Sequence, residues 1–341
     1  MARRKAKPRV LFVYRRMVPF VKSDFEALKR NFPVLPLHVT RNLIKDCVDF
    51  ARFITKSDVI FVWFAGFQAL LSVFFGKLFH KRVVVIAGGY DAAYVPEIGY
   101  GAFTFWYRAA VAYFVLRQAD VVVAVSDNTK REVQRRLNPK SIIVIYNGID
   151  TDLFVPKGEK ELIVLTVAAI NESNLKKKGL KVFVNAAAKV PEARFVLAGR
   201  CTTAVKELKA IATDNVEFTG YVSFEKLLRL YQKSRVYAQL SYHESFGVAL
   251  AEAMACECIP VGTKRAALPE VIGNNGIYVS YGDVGETARA IRRALEDESS
   301  GHAARDRVIE FFSLSKREKN LTELIDNIQT HRSNDCLVAE K

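Results

Sequence analysis

Two glutamates set the chemistry to be explained. Glu244 and Glu252 lie within Ser241-Tyr242-His243-Glu244-Ser245-Phe246-Gly247-Val248-Ala249-Leu250-Ala251-Glu252-Ala253-Met254-Ala255. Val236 to Leu240 before it alternates like the end of a strand, and Ile259-Pro260-Val261 after it reads as the next strand. Phe246 to Ala255 between them reads as an Ala-rich helix that Ser245 can cap. A helix N-terminus presents unpaired N–H groups and a partial positive charge, which suit a phosphate. Gly247 leaves room there for close approach. Glu252 stands about 9 Å along the axis from Phe246, its side chain tilted back toward the N-terminus. Carboxylates repel phosphate, so their targets are hydroxyls on either side of a diphosphate, such as those of a ribose and a sugar. Two glutamates at this spacing also occur on the solvated face of an amphipathic helix.

The whole string is more specific than the pair. Glu244-x7-Glu252, inside His243-Glu244-Ser245-Phe246-Gly247 and followed by Ala253-Met254-Ala255, resembles the Glu-x7-Glu signature of retaining GT-B glycosyltransferases. It is most similar to that of family 4, which takes sugar from a nucleotide-activated donor. The resemblance implies that Glu244 contacts the donor sugar and that Glu252 holds the ribose. It also implies that Ser245 and the amides from Phe246 to Val248, Gly247 included, meet the diphosphate. Lys178-Gly179, closing the run Lys176-Lys177-Lys178, matches the Lys-Gly of family 4, where the lysine meets the donor phosphates. A lysine triplet is otherwise an ordinary solvated loop. A lysine beside a helix N-terminus can stabilise a leaving nucleoside diphosphate without a metal, so no cofactor is expected.

Three departures accompany the resemblance. The family's Gly-Arg at the end of the preceding strand is replaced by Ala168-Ala169, which leaves the second phosphate cation to Arg200 or another residue. The often Gly-rich first loop is Arg15-Arg16-Met17-Val18-Pro19. The loop where many members carry a His is Gly88-Gly89-Tyr90-Asp91, so Asp91 or Tyr90 takes that place near the acceptor. Glu244, Lys178 and Asp91 are the catalytic candidates.

The elements that must position these residues follow from a strand–helix alternation. Strands are expected at Arg9–Tyr14, Val34–Val39, Asp58–Phe64, Arg82–Ile86, Asp120–Val125 and Ile142–Ile145. A helix capped by Ser23 runs to Asn31, another covers Tyr100–Leu116, and a third Asp127–Leu137. After the Asn147-Gly148-Ile149-Asp150 break, which also resembles family 4, the rhythm resumes with a strand at Glu161–Ala168. A polar loop at Asn171–Lys177 and a helix at Gly179–Val190 follow. Later helices are expected at Asp283–Asp297, Ala303–Phe312 and Leu314–Gln329, with a frayed end from Ser333. This is an α/β pattern of parallel, doubly wound sheets. The resemblance makes it GT-B: two Rossmann-like domains facing each other across a cleft. Their expected bounds are 1–153 for the acceptor side, 154–313 for the nucleotide-sugar side, and 314–341 for a helix returning to the first.

Bulk properties narrow the setting. The 341 residues suffice for two domains. Five cysteines without a C-x-x-C pair suit a reducing cytosol. Cys256-x-Cys258 reads as two small buried residues, and Asp150-Thr151-Asp152 as a turn rather than a metal motif. No signal peptide is apparent, and Val59–Gly76 reads as strand, turn and helix rather than a membrane span. Residues 1–150 hold 24 Lys and Arg against 11 Asp and Glu, a balance of +13, whereas residues 151–341 hold 27 against 25, or +2. A basic first half draws anionic surfaces, although such charge also serves solubility.

The leading expectation is a monomeric, metal-independent, retaining transferase of hexosyl type. It takes a nucleotide-sugar donor and a lipid-linked or glycan acceptor, in the cytoplasm or peripherally on the cytoplasmic membrane face. A basic nucleic-acid-binding protein is the alternative, but Tyr100 to Arg117 interleaves only Arg108 and Arg117 among its aromatics. A nicotinamide oxidoreductase lacks its Gly-x-Gly-x-x-Gly turn.

Overall fold

The computed structural model describes residues 7–40, 42–297 and 299–338, with side chains through residue 328. The cations Arg3, Arg4 and Lys5, part of the basic N-terminal run, lie outside it. The chain divides into two compact units, Met1–Gly148 with Leu314–Lys341, and Ile149–Ser313.

The first unit runs β1 (Val10–Tyr14), α1 (Pro19–Asn31), β2 (Val34–His38), α2 (Leu43–Ile54), β3 (Val59–Trp63), α3 (Phe67–Leu78) and β4 (Arg82–Ala87). It continues with α4 (Trp106–Gln118), β5 (Val121–Ala124), α5 (Asp127–Gln134) and β6 (Ile142–Val144). All pairings are parallel, in the order β2-β1-β3-β4-β5-β6. The inner strands β1, β3, β4 and β5 are buried and largely apolar on both faces, as a covered parallel sheet requires. Alternation sends Leu11, Val13, Ile60 and Val62 to one side, against Phe50 of α2, Phe75 of α3 and Leu116 of α4. Val10, Phe12, Phe61 and Trp63 point the other way, against Val21 and Leu28 of α1.

Three local expectations change. Helix α1 starts at Pro19, whose fixed φ suits the first helical position. Ser23 therefore lies inside the helix, where its hydroxyl donates to the Pro19 carbonyl at 3.1 Å. Helix α2 stands where no element is expected; Asn42 caps it by accepting from the Lys45 amide at 3.1 Å. The aromatic segment is not one helix from Tyr100. Gly101 adopts φ 104°, and a Cβ there would fall 2.1 Å from the Ala93 carbonyl oxygen, so the chain turns before α4 begins at Trp106.

The second unit runs β7 (Glu161–Val167), α6 (Glu172–Lys177), α7 (Leu180–Ala187), β8 (Arg194–Ala198), α8 (Val205–Lys209), β9 (Val216–Gly220), α9 (Phe224–Lys233) and β10 (Ser234–Gln239). After these come α10 (Val248–Ala255), β11 (Ile259–Thr263), α11 (Leu268–Ile272), β12 (Ile277–Val279), α12 (Val284–Glu296) and α13 (Ser300–Phe312). Its parallel sheet has the order β9-β8-β7-β10-β11-β12. That is the Rossmann order, which reverses direction between β7 and β10. The expected polar loop at Asn171–Lys177 is instead α6, because the Asn171 side chain accepts the Asn174 amide at 3.0 Å and caps it.

The chain then returns to the first unit as α14 (Leu314–Val338), which continues past the expected end at Gln329. Leu321 and Ile325 join the α1 side of the core. A fully buried ion pair anchors the helix. Arg317 Nε and a terminal nitrogen reach the two oxygens of Asp24 at 2.5 and 2.7 Å, and its remaining N–H groups donate to the Ile145 and Tyr146 carbonyls at 2.8 and 2.7 Å. Trp63 Nε1 donates to Asp24 at 3.0 Å and completes the network. Among the described residues no helix is long and apolar enough to cross a membrane.

Candidate functional site

In the second unit, the candidate residues gather where the sheet order reverses. Lys178 and Gly179 form the junction of α6 and α7, which follow β7, and Glu244 lies in the loop after β10. Ligands bind at such switch points, outside the carboxyl ends of the strands. Backbone contacts lock the two segments together. The Tyr242 amide donates to the Lys177 carbonyl at 2.8 Å. Gly179 adopts φ 63°, and a Cβ on it would fall 2.2 Å from the Leu240 carbonyl oxygen, so only glycine fits.

This register puts the Lys178 ammonium in direct contact with Glu244 Oε1. The same oxygen accepts from Gln239 Nε2 at 2.9 Å and Ser241 Oγ at 2.7 Å. Burial alone pushes Glu244 upward. The charge and hydrogen bond of Lys178, the charge of Lys177 and the Ser241 hydroxyl outweigh it, leaving the carboxyl below its usual range. Lys177 is pulled down to about 8, mainly by burial, with Glu244 opposing the shift and Lys178 adding to it. Reading the sequence singled out Lys178 but not Lys177, Gln239 or Ser241. The lysine run was the available signal for Lys177. Arg200, the suggested second phosphate cation, instead lies over the Tyr221 ring at 5.9 Å, whereas Lys177 is close enough to Glu244 to affect its ionisation.

Glu252 has different company. Its Oε2 accepts the Tyr231 hydroxyl at 3.0 Å, and burial raises it to about 7 against the pull of that hydrogen bond. Helix α10 starts at Val248 rather than at the expected Phe246. Gly247, at φ 100°, is its N-cap, two residues after the Ser245 expected there. Phe246 is buried, edge-on to Phe312 at 5.3 Å, so only its main chain remains to meet a ligand. Val248 opens the helix with N–H groups that have no acceptor within it.

In the first unit, Asp91 is buried in the loop after β4 and accepts three main-chain amides. Ala65 and Gly89 donate at 2.8 Å and Gly88 at 3.3 Å. Burial raises its pKa against those bonds. Through both oxygens Asp91 ties the β3 and β4 loops together.

The remaining motifs are structural. Asp150 Oδ1 accepts the Asp152 and Leu153 amides at 3.2 and 3.1 Å, which forms a turn. Cys256 and Cys258 are buried. Among the described residues, no cluster of three or more His, Cys, Asp or Glu side chains could hold a metal ion.

Comparison with known proteins adds the following. A model described as "Glycosyltransferase Family 4" matches residues 2–153, and one described as "Glycosyl transferases group 1" matches residues 161–297. The chain is 24% identical over 242 residues to a phosphatidylinositol N-acetylglucosaminyltransferase component from Arabidopsis thaliana, covering 67% of this chain and 53% of that protein. It is 32% identical over 224 residues to N-acetyl-alpha-D-glucosaminyl L-malate synthase of Bacillus anthracis, covering 60% and 58%. The chain thus spans little more than half the length of these curated relatives. The crystal structure of Anabaena HepE in complex with UDP and glucose superposes with a TM-score of 0.79 at 17% identity, covering 94% of this chain and all of that one. At that identity the likeness establishes the GT-B fold.

Proposed function

This chain belongs to family 4 of the glycosyltransferases, and from that membership we propose that it moves a hexosyl group from a nucleoside-diphosphate sugar to an acceptor, retaining configuration and using no metal. The observation that carries the reading is the Lys178–Glu244 contact at the β7/β10 switch point. When the sugar departs, the diphosphate gains negative charge. Lys178, Lys177 and the first amides of α10 provide fixed positive charge to offset it. In the resting protein Lys178 is neutralised by Glu244. A bound diphosphate takes over the lysine and frees the carboxylate to accept hydroxyls of the sugar. Glu252, held by Tyr231, accepts the ribose hydroxyls.

The acceptor belongs to the first unit in this reading and is lipid-linked or a glycan, met at the cytoplasmic membrane surface by a monomeric enzyme. Support comes from the +13 balance of residues 1–150 and from exposed apolar side chains on three helices of that unit. Ile44 on α2 is 79% exposed, Phe74 on α3 59%, and Trp106 on α4 84%. One relative's name carries phosphatidylinositol and the other's L-malate.

A donor screen that follows nucleoside diphosphate release, with and without chelator, tests the proposal. It should begin with UDP-N-acetylglucosamine and UDP-glucose. Release that survives chelation supports it. Release that depends on a divalent ion overturns the metal-independent part, and no turnover of or binding to any nucleotide sugar overturns the whole.

A further inference from the structure

The first unit has its own switch point, between β1 and β3, where its strand order reverses. A pocket of about 630 Å³ opens there, at the carboxyl ends of β1, β3 and β4. Its lining combines Arg15, Arg16 and Arg108 with Phe64, Tyr90 and Tyr107. Asp91 also lines it, but its oxygens are occupied by the amides described above.

The three guanidinium groups are not neutralised. Arg15 and Arg16 are exposed and have no carboxylate partner among the described residues. Arg108 donates to the Tyr90 hydroxyl and lies over the Phe105 and Tyr107 rings at 4.9 and 5.4 Å, again with no carboxylate. Adjacent cations repel, and an anion between them removes that repulsion. The Arg fork matches phosphate and carboxylate oxygens two at a time.

The backbone supplies an independent observation. Phe64, the residue after β3, adopts φ 68°, in the left-handed region, where a bulky residue is an outlier. The surroundings enforce it. The Gly66 amide closes onto the Phe64 carbonyl at 2.8 Å, and a Cβ on Gly88 would fall 2.3 Å from the Phe64 ring. Asp91 binds the same two loops. Strain held this firmly concentrates where a ligand must meet a preformed wall.

We propose that this pocket seats an anionic group of the acceptor, a phosphate or carboxylate, on Arg15, Arg16 and Arg108, with the adjoining apolar part of the acceptor against Phe64 and Tyr107. The inference rests on the transferase reading and narrows its acceptor to an anion. It also accounts for a loop that carries two arginines where family 4 often has glycines.

The test is calorimetric titration of the full chain with ethyl phosphate, dodecyl phosphate below its micellar concentration, and dodecyl maltoside as the uncharged control. Arg15→Ala/Arg16→Ala should weaken alkyl phosphate binding at least tenfold, and Arg15→Lys/Arg16→Lys less. Neither should change nucleoside diphosphate binding, which reports an intact second unit. Ethyl phosphate binding as well as dodecyl phosphate identifies a soluble anionic acceptor, and a strong preference for dodecyl phosphate an amphiphilic one. Alkyl phosphate binding that is indifferent to both arginines, or no tighter than dodecyl maltoside binding, overturns the proposal. Absence of nucleoside diphosphate binding in the wild type, with arginine-dependent phosphate binding intact, would instead defeat the transferase reading.

Discussion

The two sheets reverse strand order at one place each, and the two places hold charge in opposite ways. At the β7/β10 point, Lys178 and Glu244 satisfy one another, supported by Ser241 and Gln239. At the β1/β3 point, Arg15 and Arg16 have no such partner among the described residues, and the carboxylate that shares their pocket, Asp91, is bonded to main-chain amides. A paired site can exchange its internal partner for a ligand, so it stays folded and compact when empty. An unpaired site holds its cations in water until an anion arrives. The first arrangement suits a group whose charge changes during a reaction, and the second a group that only has to be recognised.

The comparison extends to how each sheet is secured, and there the largest effect is expected. Arg317→Ala leaves Asp24 buried without its cation, which costs about 3–5 kcal/mol. Chemical denaturation should then show the first unit unfolding ahead of the second. A single transition at the wild-type midpoint would show that the pair contributes nothing. Lys178→Ala should lower turnover by about a hundredfold, the scale of one lost transition-state donor, with the fold retained. Full activity would remove the lysine from the mechanism, and with it the contrast between the two switch points.

Glu252→Gln tests the buried acid. The folded value of about 7 lies above the ordinary 4.5, so Glu252 contributes stability that is complete below pH 4.5 and lost as pH rises through 7. At about 1.4 kcal/mol per unit, the loss is about 3 kcal/mol. The Gln variant should show a flatter stability profile across that window and weaker nucleoside diphosphate binding. Glu244→Gln, by contrast, should slow transfer more than it weakens binding. Equal nucleoside diphosphate affinities for the two variants would erase that division of roles. The smallest effect is at the surface. Trp106→Ser should weaken co-sedimentation with anionic liposomes severalfold, because the exposed indole suits the headgroup level of a bilayer. Equal binding to neutral and anionic liposomes would point to a soluble acceptor.

Much of the fold was legible because buried parallel strands are apolar runs. Val59–Trp63 and Arg82–Ala87 could scarcely be anything else. Glu244 was legible because a long string surrounds it, and Lys178 because it precedes Gly179 at the end of a lysine run. What escaped depended on local capping or on distance along the chain. Asn171 turns a polar stretch into α6, and Gly247 rather than Ser245 begins α10, because a left-handed backbone there outweighs a good capping side chain. The Asp24–Arg317 pair has no sequence signal at all. The unpaired state of Arg15 and Arg16 is a property of their surroundings, so in sequence they registered as missing glycines and as part of a basic first half.

The Asp24–Arg317 anchor also sets an order of events during synthesis. Its two members are 293 residues apart. At 5–20 residues per second, Asp24 waits roughly fifteen seconds to a minute for its cation to be translated. The second unit, contiguous in sequence, is translated in full by Ser313, four residues before Arg317, and needs no later residue to close its own core. The part of the protein made first is therefore the part completed last. Through that interval the α1 face of its sheet, with Trp63 and Phe61, stays uncovered by the closing helix.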